Sequence, residues 1–339
     1  MTDERSEAAG GGDPAGLAGG AGGRAPRGID APRLRGRRPG DAVSTLLYRR
    51  RRLALWLLLA PPLLWFGVVF VGALLALVWQ STYTFNDFAM QVTPDLTLAN
   101  YRALLAPANR DIVLRTVAMA AAVTLGCAVL GFPLAYYMAR YTAGARRAVF
   151  YVGVMLPMWA SYIVKAYAWT MILSRGGIIY WIADRTGLRG ALDGLLAVPY
   201  LGGSSLSTSN VGRFLVFTYA WLPFMILPIH AAIERVPPRL LEASADLGAR
   251  PWQTFRTVLL PLAFPGVVAG SIFAFSLTLG DYIIPQLVGP PGLSIGTMVN
   301  RELGSAGDLP MAAAFTAVPI VIISLYLWGA RRLGAFDAL

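Results

Sequence analysis

The chain has 339 residues, of which 56% are hydrophobic and 14% are charged, and its formal net charge is +11. Globular domains carry about 25% charged residues, so this composition excludes an ordinary soluble fold. The single cysteine, Cys127, excludes an intramolecular disulfide and is interpreted as a packing residue.

Residues 1–48 are rich in Gly, Ala, Pro and Arg and show no apolar periodicity. Such a segment buries too little surface to fold, so the sequence predicts a disordered cytoplasmic tail. The first apolar run begins late and is long, which argues against a cleavable signal peptide.

Six apolar runs follow, each near the length of about 20 residues that a helix needs to cross a bilayer. They are Leu53–Val78, Val113–Met138, Ala148–Leu173, Phe214–Ala232, Ala263–Val288 and Pro310–Trp328. In lipid the backbone must satisfy its own hydrogen bonds, so each run is predicted to be a helix. The sequence therefore predicts an all-α polytopic membrane domain over residues 49–332 with six transmembrane helices, and a short cytoplasmic C-terminus over residues 333–339.

Prolines inside these runs do not overturn the prediction, because neighbouring helices in a bundle can satisfy the carbonyl groups that proline leaves free. They are Pro61, Pro62, Pro133, Pro157, Pro223 and Pro228.

Arginines cluster at one end of the predicted helices, before the first and after the second, fourth and sixth. They are Arg49 to Arg52, Arg140, Arg146, Arg147, Arg235, Arg239, Arg250, Arg256, Arg331 and Arg332. Positively charged residues concentrate in the cytoplasmic loops of membrane proteins, so both termini are predicted to be cytoplasmic. A nucleic-acid surface is the alternative explanation, but the arginines are scattered over several loops.

The catalytic motifs that the chain lacks narrow its function. Its one lysine, Lys165, lies in an apolar run, so a phosphate-binding G-x-x-x-x-G-K-[ST] loop is excluded. Its one histidine, His230, excludes an H-E-x-x-H zinc site and is given no role. The G-x-S-x-G pattern at Gly292–Gly296 lacks a base within reach. Transport or scaffolding is therefore favoured over catalysis.

The loop between the fourth and fifth runs, residues 234–262, carries strong local signals. Pro237 and Pro238 suit the first turn of a helix, and Gly248 suits a C-terminal cap with positive φ. Pro251 is predicted to restart a helix, and Pro261 and Pro265 to mark a bend into the fifth membrane helix.

The side chains of the predicted helix in this loop form an apolar face and an acidic face. Leu240, Ala243 and Leu247 recur at helical spacing, whereas Glu242 and Asp246 share another face. Two aromatic residues three apart, at positions 252 and 255, are predicted to emerge on the same side. We interpret the loop as a docking handle for a partner; the alternative is an amphipathic hairpin resting on the membrane.

Four segments carry a family resemblance. They are Glu242-Ala243-Ser244-Ala245-Asp246-Leu247-Gly248 continuing to Leu259-Leu260-Pro261, then Leu222 to Pro228, Leu279 to Pro285, and Lys165 to Trp169. The first resembles the EAA loop of binding-protein-dependent (type I) ABC importer permeases, with Ser244 in place of the second alanine. The others are similar to the spermidine/putrescine branch, and the resemblance covers residues 53–332.

The resemblance implies a multi-pass inner-membrane subunit that binds no cofactor itself. ATP and Mg²⁺ would bind a separate dimer of ATP-binding subunits, a second permease subunit of a paralogous chain would complete the pathway, and an extracytoplasmic binding protein would deliver the solute. The lipid bilayer is the other partner, and nucleic acid is not one. The docking residues carried over from the family, or adjoining them in the loop, are Glu242, Ala243, Ser244, Asp246, Gly248 and Pro261.

The substrate pathway is predicted from ionisable and aromatic residues within the membrane. Asp281 could attract the ammonium groups of a polyamine, or it could be a structural partner of Lys165 or of a backbone cap. Lys165 is assigned a structural or gating role. Tyr282, Trp159 and Tyr162 could offer ring faces to a cation, although aromatic belts at the membrane interface explain such residues equally well.

Three other functions remain open at this stage. A self-sufficient secondary transporter or channel would be expected to show charged relays or broken-helix pairs in repeated halves. A non-polyamine ABC importer permease and a membrane scaffold are the other two.

Overall fold

The structure, a computed structural model, describes residues 51–86 and 88–332, with side chains from residue 55 onward. The predicted tail, residues 1–48, and the C-terminal segment, residues 333–339, lie outside the described residues. By its contacts the chain divides into two units, residues 1–65 and 66–339. In the first, the described element is helix α1, Arg51–Leu64, which contains Pro61 and Pro62.

The described elements of the second unit are almost all helical. A π-helical turn at Trp65–Val71 leads into α2, Gly72–Gln80, and a small antiparallel hairpin of β1, Thr84–Asn86, and β2, Gln91–Thr93. The helices that follow are α3 Ala99–Leu104, α4 Pro107–Arg140, α5 Gly144–Trp159, α6 Tyr162–Leu173, α7 Ile178–Thr186, α8 Arg189–Leu196, α9 Asn210–Glu234, α10 Pro238–Asp246, α11 Pro251–Thr254, α12 Leu260–Gly280, α13 Ile283–Leu287, α14 Ile295–Arg301 and α15 Leu309–Arg332.

Within residues 51–332, five helical runs are long and apolar enough to cross a membrane. They are Leu55–Gln80, Pro107–Arg140, Asn210–Glu234, Pro251–Gly280 and Leu309–Arg332. A sixth is possible if the bent pair of Gly144–Trp159 and Tyr162–Thr186 counts as one span. The all-α membrane fold is thereby confirmed.

The prediction of one continuous third helix over Ala148–Leu173 is wrong. The chain turns by 96° between α5 and the segment that begins at Tyr162. Pro157 lacks the N–H that would continue the hydrogen-bond ladder, and Ala160 and Ser161 adopt extended ψ values of 142° and 133°. The turn brings the start of α6 next to the end of α12.

The fifth predicted run, Ala263–Val288, is likewise divided. The helix stops at Gly280, Asp281 is extended with ψ 137°, and the short helix α13 follows. The other prolines in the predicted runs lie inside helices, as expected for a bundle in which neighbours satisfy the freed carbonyls.

Helix α9 is the centre of the second unit and packs against α4 and α12. Its fully buried side chains include Phe217, Met225 and Ile229. Glycines allow the close approach of α12: a Cβ on Gly270 would lie 2.9 Å from the Met225 Cα, and one on Gly266 would lie 2.6 Å from the Pro228 oxygen. This tight contact fixes the two helices that flank the 234–262 loop.

Candidate functional site

The 234–262 loop is a helical hairpin whose ends match the sequence signals. Helix α10 begins at Pro238 after an extended Pro237, and Gly248 has φ +82°. Helix α11 begins at Pro251. The predicted helix start, glycine cap and helix restart are all confirmed, since each depends on local backbone chemistry.

One face of α10 packs against the rest of the protein, and the other face is exposed. Leu241 packs on the main hydrophobic core, and the hydroxyls of Ser244 and Thr254 are 2.9 Å apart, joining the two limbs of the hairpin. By contrast, Leu240 is 45% exposed and Leu247 is 89% exposed. Ala243, Glu242 and Asp246 are exposed as well. The predicted apolar face is therefore uncovered, and the acidic pair lies beside it.

The two aromatic rings at the start of the second limb of the hairpin stack on each other. The ring centroids of Trp252 and Phe255 are 5.2 Å apart with an interplanar angle of 18°, which confirms that they share a side. Trp252 remains 67% exposed. Phe255 also meets Phe132 of α4 edge-on, with centroids 5.5 Å apart.

A π-helical turn over Phe255–Leu259 precedes Pro261 and Pro265, and α12 continues through both prolines, so the bend predicted at these two residues stays a prediction. Pro261 has no N–H to give to a carbonyl in this turn, and a widened turn accommodates that loss without ending the helix. The whole run from Pro251 to Gly280 stays helical. The second limb is thus an extension of a membrane helix.

A cavity of about 380 Å³ lies at the opposite end of α12. It is lined by Tyr162, Trp221, Ser276, Leu277, Gly280, Asp281, Tyr282 and Ile283. Three of the four predicted pathway residues, Asp281, Tyr282 and Tyr162, are brought together here. Trp159 is 79% exposed at the end of α5 and does not line this cavity.

Asp281 connects three elements at this cavity. The Tyr162 hydroxyl donates a hydrogen bond to Oδ2, and the Ile284 N–H donates to Oδ1 at 3.0 Å. The carboxylate therefore holds the first residue of α6 and caps α13 while it lines the cavity. Asp281 is the acidic residue of this cavity, and it meets Tyr162 at the hydroxyl on the edge of the ring.

Lys165 does not pair with Asp281, so that half of the structural alternative is wrong, whereas the other half, a backbone cap, is confirmed by the bond from the Ile284 N–H. Its Nζ donates to the Pro157 carbonyl at 2.6 Å and lies 5.8 Å from the centroid of the Tyr162 ring. Because the helix stops at Trp159, the Pro157 carbonyl has lost its partner four residues on. Lys165 satisfies this carbonyl across the turn from α5 to α6.

Sequence reasoning named three of the eight residues that line the cavity and missed the other five, among them Trp221 and Ser276. The Trp221 ring stacks on Tyr162 with centroids 5.6 Å apart, and Ser276 faces the same space from α12. Both lie in continuous apolar runs, where no local signal separates a cavity residue from a packing residue. Finding Trp221 would have required knowing how α9 packs against α6.

His230 also has neighbours that the sequence did not indicate. It is 1% exposed, and its Nδ1 lies 2.8 Å from the Tyr151 hydroxyl and 3.5 Å from Glu234 Oε2. Among the residues that the structure describes, no group of three His, Cys, Asp or Glu side chains could hold a metal ion.

Comparison with known proteins shows a family match over residues 129–334, to the family described as binding-protein-dependent transport system inner membrane component. The chain is 63% identical over 303 residues to the inner membrane ABC transporter permease protein YdcU of Escherichia coli (strain K12), covering 89% of this chain and 97% of that protein. It is 28% identical over 274 residues to the spermidine/putrescine transport system permease protein PotB of the same strain, covering 78% and 94%.

The fold is similar to that in a crystal structure of a bacterial ABC transporter involved in the import of the acidic polysaccharide alginate. The TM-score is 0.61 at 18% identity, over 86% of this chain and 99% of the other. At this identity the likeness concerns the fold alone.

Proposed function

We propose that the cargo of this chain is a small organic cation of the polyamine class. The chain belongs to the family of inner membrane components of binding-protein-dependent transport systems and is an ABC importer permease of the inner membrane. In such a system ATP is hydrolysed by a separate ATPase subunit. The proposed partners are an ATP-binding dimer, a second permease subunit and an extracytoplasmic binding protein.

The observation that carries the cargo proposal is the cavity at Asp281. The Asp281 carboxylate, bonded by the Tyr162 hydroxyl, lines this cavity together with Trp221 and Tyr282, and its negative charge suits an aliphatic ammonium group. The similarity to PotB, a spermidine/putrescine permease, supports the same class of cargo. Lys165 donates to the Pro157 carbonyl and does not form an ion pair with Asp281.

The 234–262 loop is proposed to dock on the ATPase. Its uncovered face presents Leu240, Ala243 and Leu247 together with Glu242 and Asp246, which suits a partner with an apolar groove and basic groups. Arginines concentrated near this loop support its placement in the cytoplasm, with both termini on the same side.

Co-purification tests the docking. Glu242→Arg reverses a charge on the exposed face, and Gly248→Pro cannot adopt φ +82°, so each should lower the amount of ATPase that purifies with the permease. Asp95→Arg is the matched control, because Asp95 is an exposed carboxylate at the other end of the membrane domain. Retention of the ATPase by both loop variants would refute the docking proposal.

A further inference from the structure

The end of α4 contacts the segment that leads into α10. Arg140, in the last turn of α4, donates from Nη2 to the Ile233 carbonyl at 3.1 Å and to the Val236 carbonyl at 2.7 Å. These carbonyls lie where α9 ends. The Ile233 carbonyl also accepts the Val236 N–H at 3.2 Å, and Pro237 and Pro238 have no N–H groups to offer. Arg140 therefore joins α4 to the backbone just before the loop hairpin.

The start of α5 contacts the same segment through two side chains. Arg147 forms an ion pair with Glu234, and the Tyr151 hydroxyl hydrogen-bonds His230 at 2.8 Å. Glu234 is the last residue of α9. Three side chains on the α4–α5 hairpin thus hold residues 230–236.

The turn between α4 and α5 is itself braced. Tyr137 stacks on Tyr141 with centroids 5.9 Å apart and meets Phe150 edge-on at 5.4 Å. The Thr142 hydroxyl donates to the Met138 carbonyl. These contacts tie the turn to both of its helices.

Helix α4 also reaches the second limb of the loop. Phe132, eight residues before Arg140, contacts Phe255 in the π-helical turn. Helix α4 therefore touches the hairpin where it begins and where it rejoins the membrane helices.

We propose that α4 and its turn to α5 are a third support of the 234–262 loop, beside the covalently attached α9 and α12, and that Arg140 is the residue that positions it. The inference rests on the proposed docking of this loop on the ATPase. A displacement of the loop then moves α4 and α5 together with α9 and α12, so four helices respond to one contact.

The first test measures uptake per ATP in the complete transporter in liposomes, with labelled putrescine as the probe. Arg140→Gln removes the bidentate contact, and uptake per ATP should fall by roughly threefold or more while the ATPase stays bound. Arg140→Lys keeps one donor and should lie between Gln and the wild type. Arg146→Gln is the matched control, because Arg146 is an exposed arginine in the first turn of α5 and forms no hydrogen bond or ion pair among the described residues.

The second test does not depend on the cargo. In a Cys127→Ser background, spin labels at Ala143→Cys and Arg239→Cys report the distance between the α4–α5 turn and the start of α10. In the wild type this distance should be the same without nucleotide and with trapped ATP, whereas Arg140→Gln should shift or broaden it.

The outcomes separate the two ideas. Failure of the ATPase to bind the wild-type chain would remove the docking proposal, and absence of putrescine uptake would remove the cargo. A nucleotide-dependent distance in the wild type, or an Arg140→Gln variant with normal distances and normal uptake per ATP, would overturn the third support. If Arg140→Gln does not reach the membrane, the same two measurements are made on Arg140→Lys.

Discussion

At the scale of single residues, partly buried polar side chains bond to main-chain groups near the ends of helices. Lys165 satisfies a carbonyl left free by a broken helix, and Arg140 donates to the Ile233 and Val236 carbonyls at the end of α9. Asp281 differs because it also lines a cavity. A carboxylate that is tied by Tyr162 and the Ile284 N–H keeps a fixed position from which to meet a cation.

Asp281→Asn is the prediction at this scale. The amide oxygen can keep one hydrogen bond, but the negative charge is lost, and a hydrogen bond to a charged group contributes about 1.5–3 kcal/mol. Uptake of putrescine by the complete transporter should therefore fall roughly tenfold or more. The control is Asp95→Asn, which alters an exposed carboxylate outside the cavity.

Unchanged uptake by Asp281→Asn would leave Asp281 as a structural cap of α13 and remove it from the pathway. A loss confined to protein yield, with normal uptake per molecule of transporter, would lead to the same conclusion.

At the scale of elements, the contact of α9 with α12 places both candidate sites. The Asp281 cavity lies at one end of α12 and the 234–262 loop at the other, so the geometry of this pair affects both. The approach depends on glycines, because a side chain on Gly270 would meet main-chain atoms of Met225. Main-chain atoms in a packed helix cannot yield as a flexible side chain can.

Gly270→Ala should lower the thermal stability of the purified protein, because overpacking costs about 1–3 kcal/mol. Gly153→Ala is the matched control: it places the same methyl group in a membrane helix, and nothing lies within 4 Å of the new Cβ. Thermal unfolding followed in detergent gives both midpoints. Equal midpoints for the two variants would mean that the α9–α12 contact is looser than the structure indicates.

At the scale of the whole molecule, the chain holds a membrane domain and an uncovered loop, while the energy source lies on another polypeptide. A phosphate-binding loop that ends in Gly-Lys is excluded by the single lysine, which lies in α6. The uncovered leucines of α10 and the exposed Trp252 give the loop a surface that a partner would bury.

Reconstitution of this chain alone in vesicles is expected to give no ATP-driven or gradient-driven accumulation of putrescine. Addition of the second permease subunit, the ATPase and the binding protein should restore accumulation. The measurement is the concentration of labelled putrescine inside the vesicles against that outside. Accumulation by the isolated chain would support the rival function, a self-sufficient secondary transporter.

The amino-acid sequence by itself determined the helical membrane fold and the local geometry of the loop. Apolar runs near 20 residues must be helices in lipid because no water can satisfy their backbones. Pro238 and Gly248 act on their own φ angles, so the start and cap of α10 were predictable without knowledge of any neighbour.

Only the tertiary structure decided which side chains meet. The contact of Tyr162 with Asp281 joins residues 119 apart, and that of Arg140 with Val236 joins residues 96 apart. Such pairs depend on the rotation of each helix and on the 96° turn before α6, which an apolar pattern does not specify because lipid and protein neighbours are equally apolar. For the same reason Trp221 was missed and the pairing of Lys165 with Asp281 was wrong.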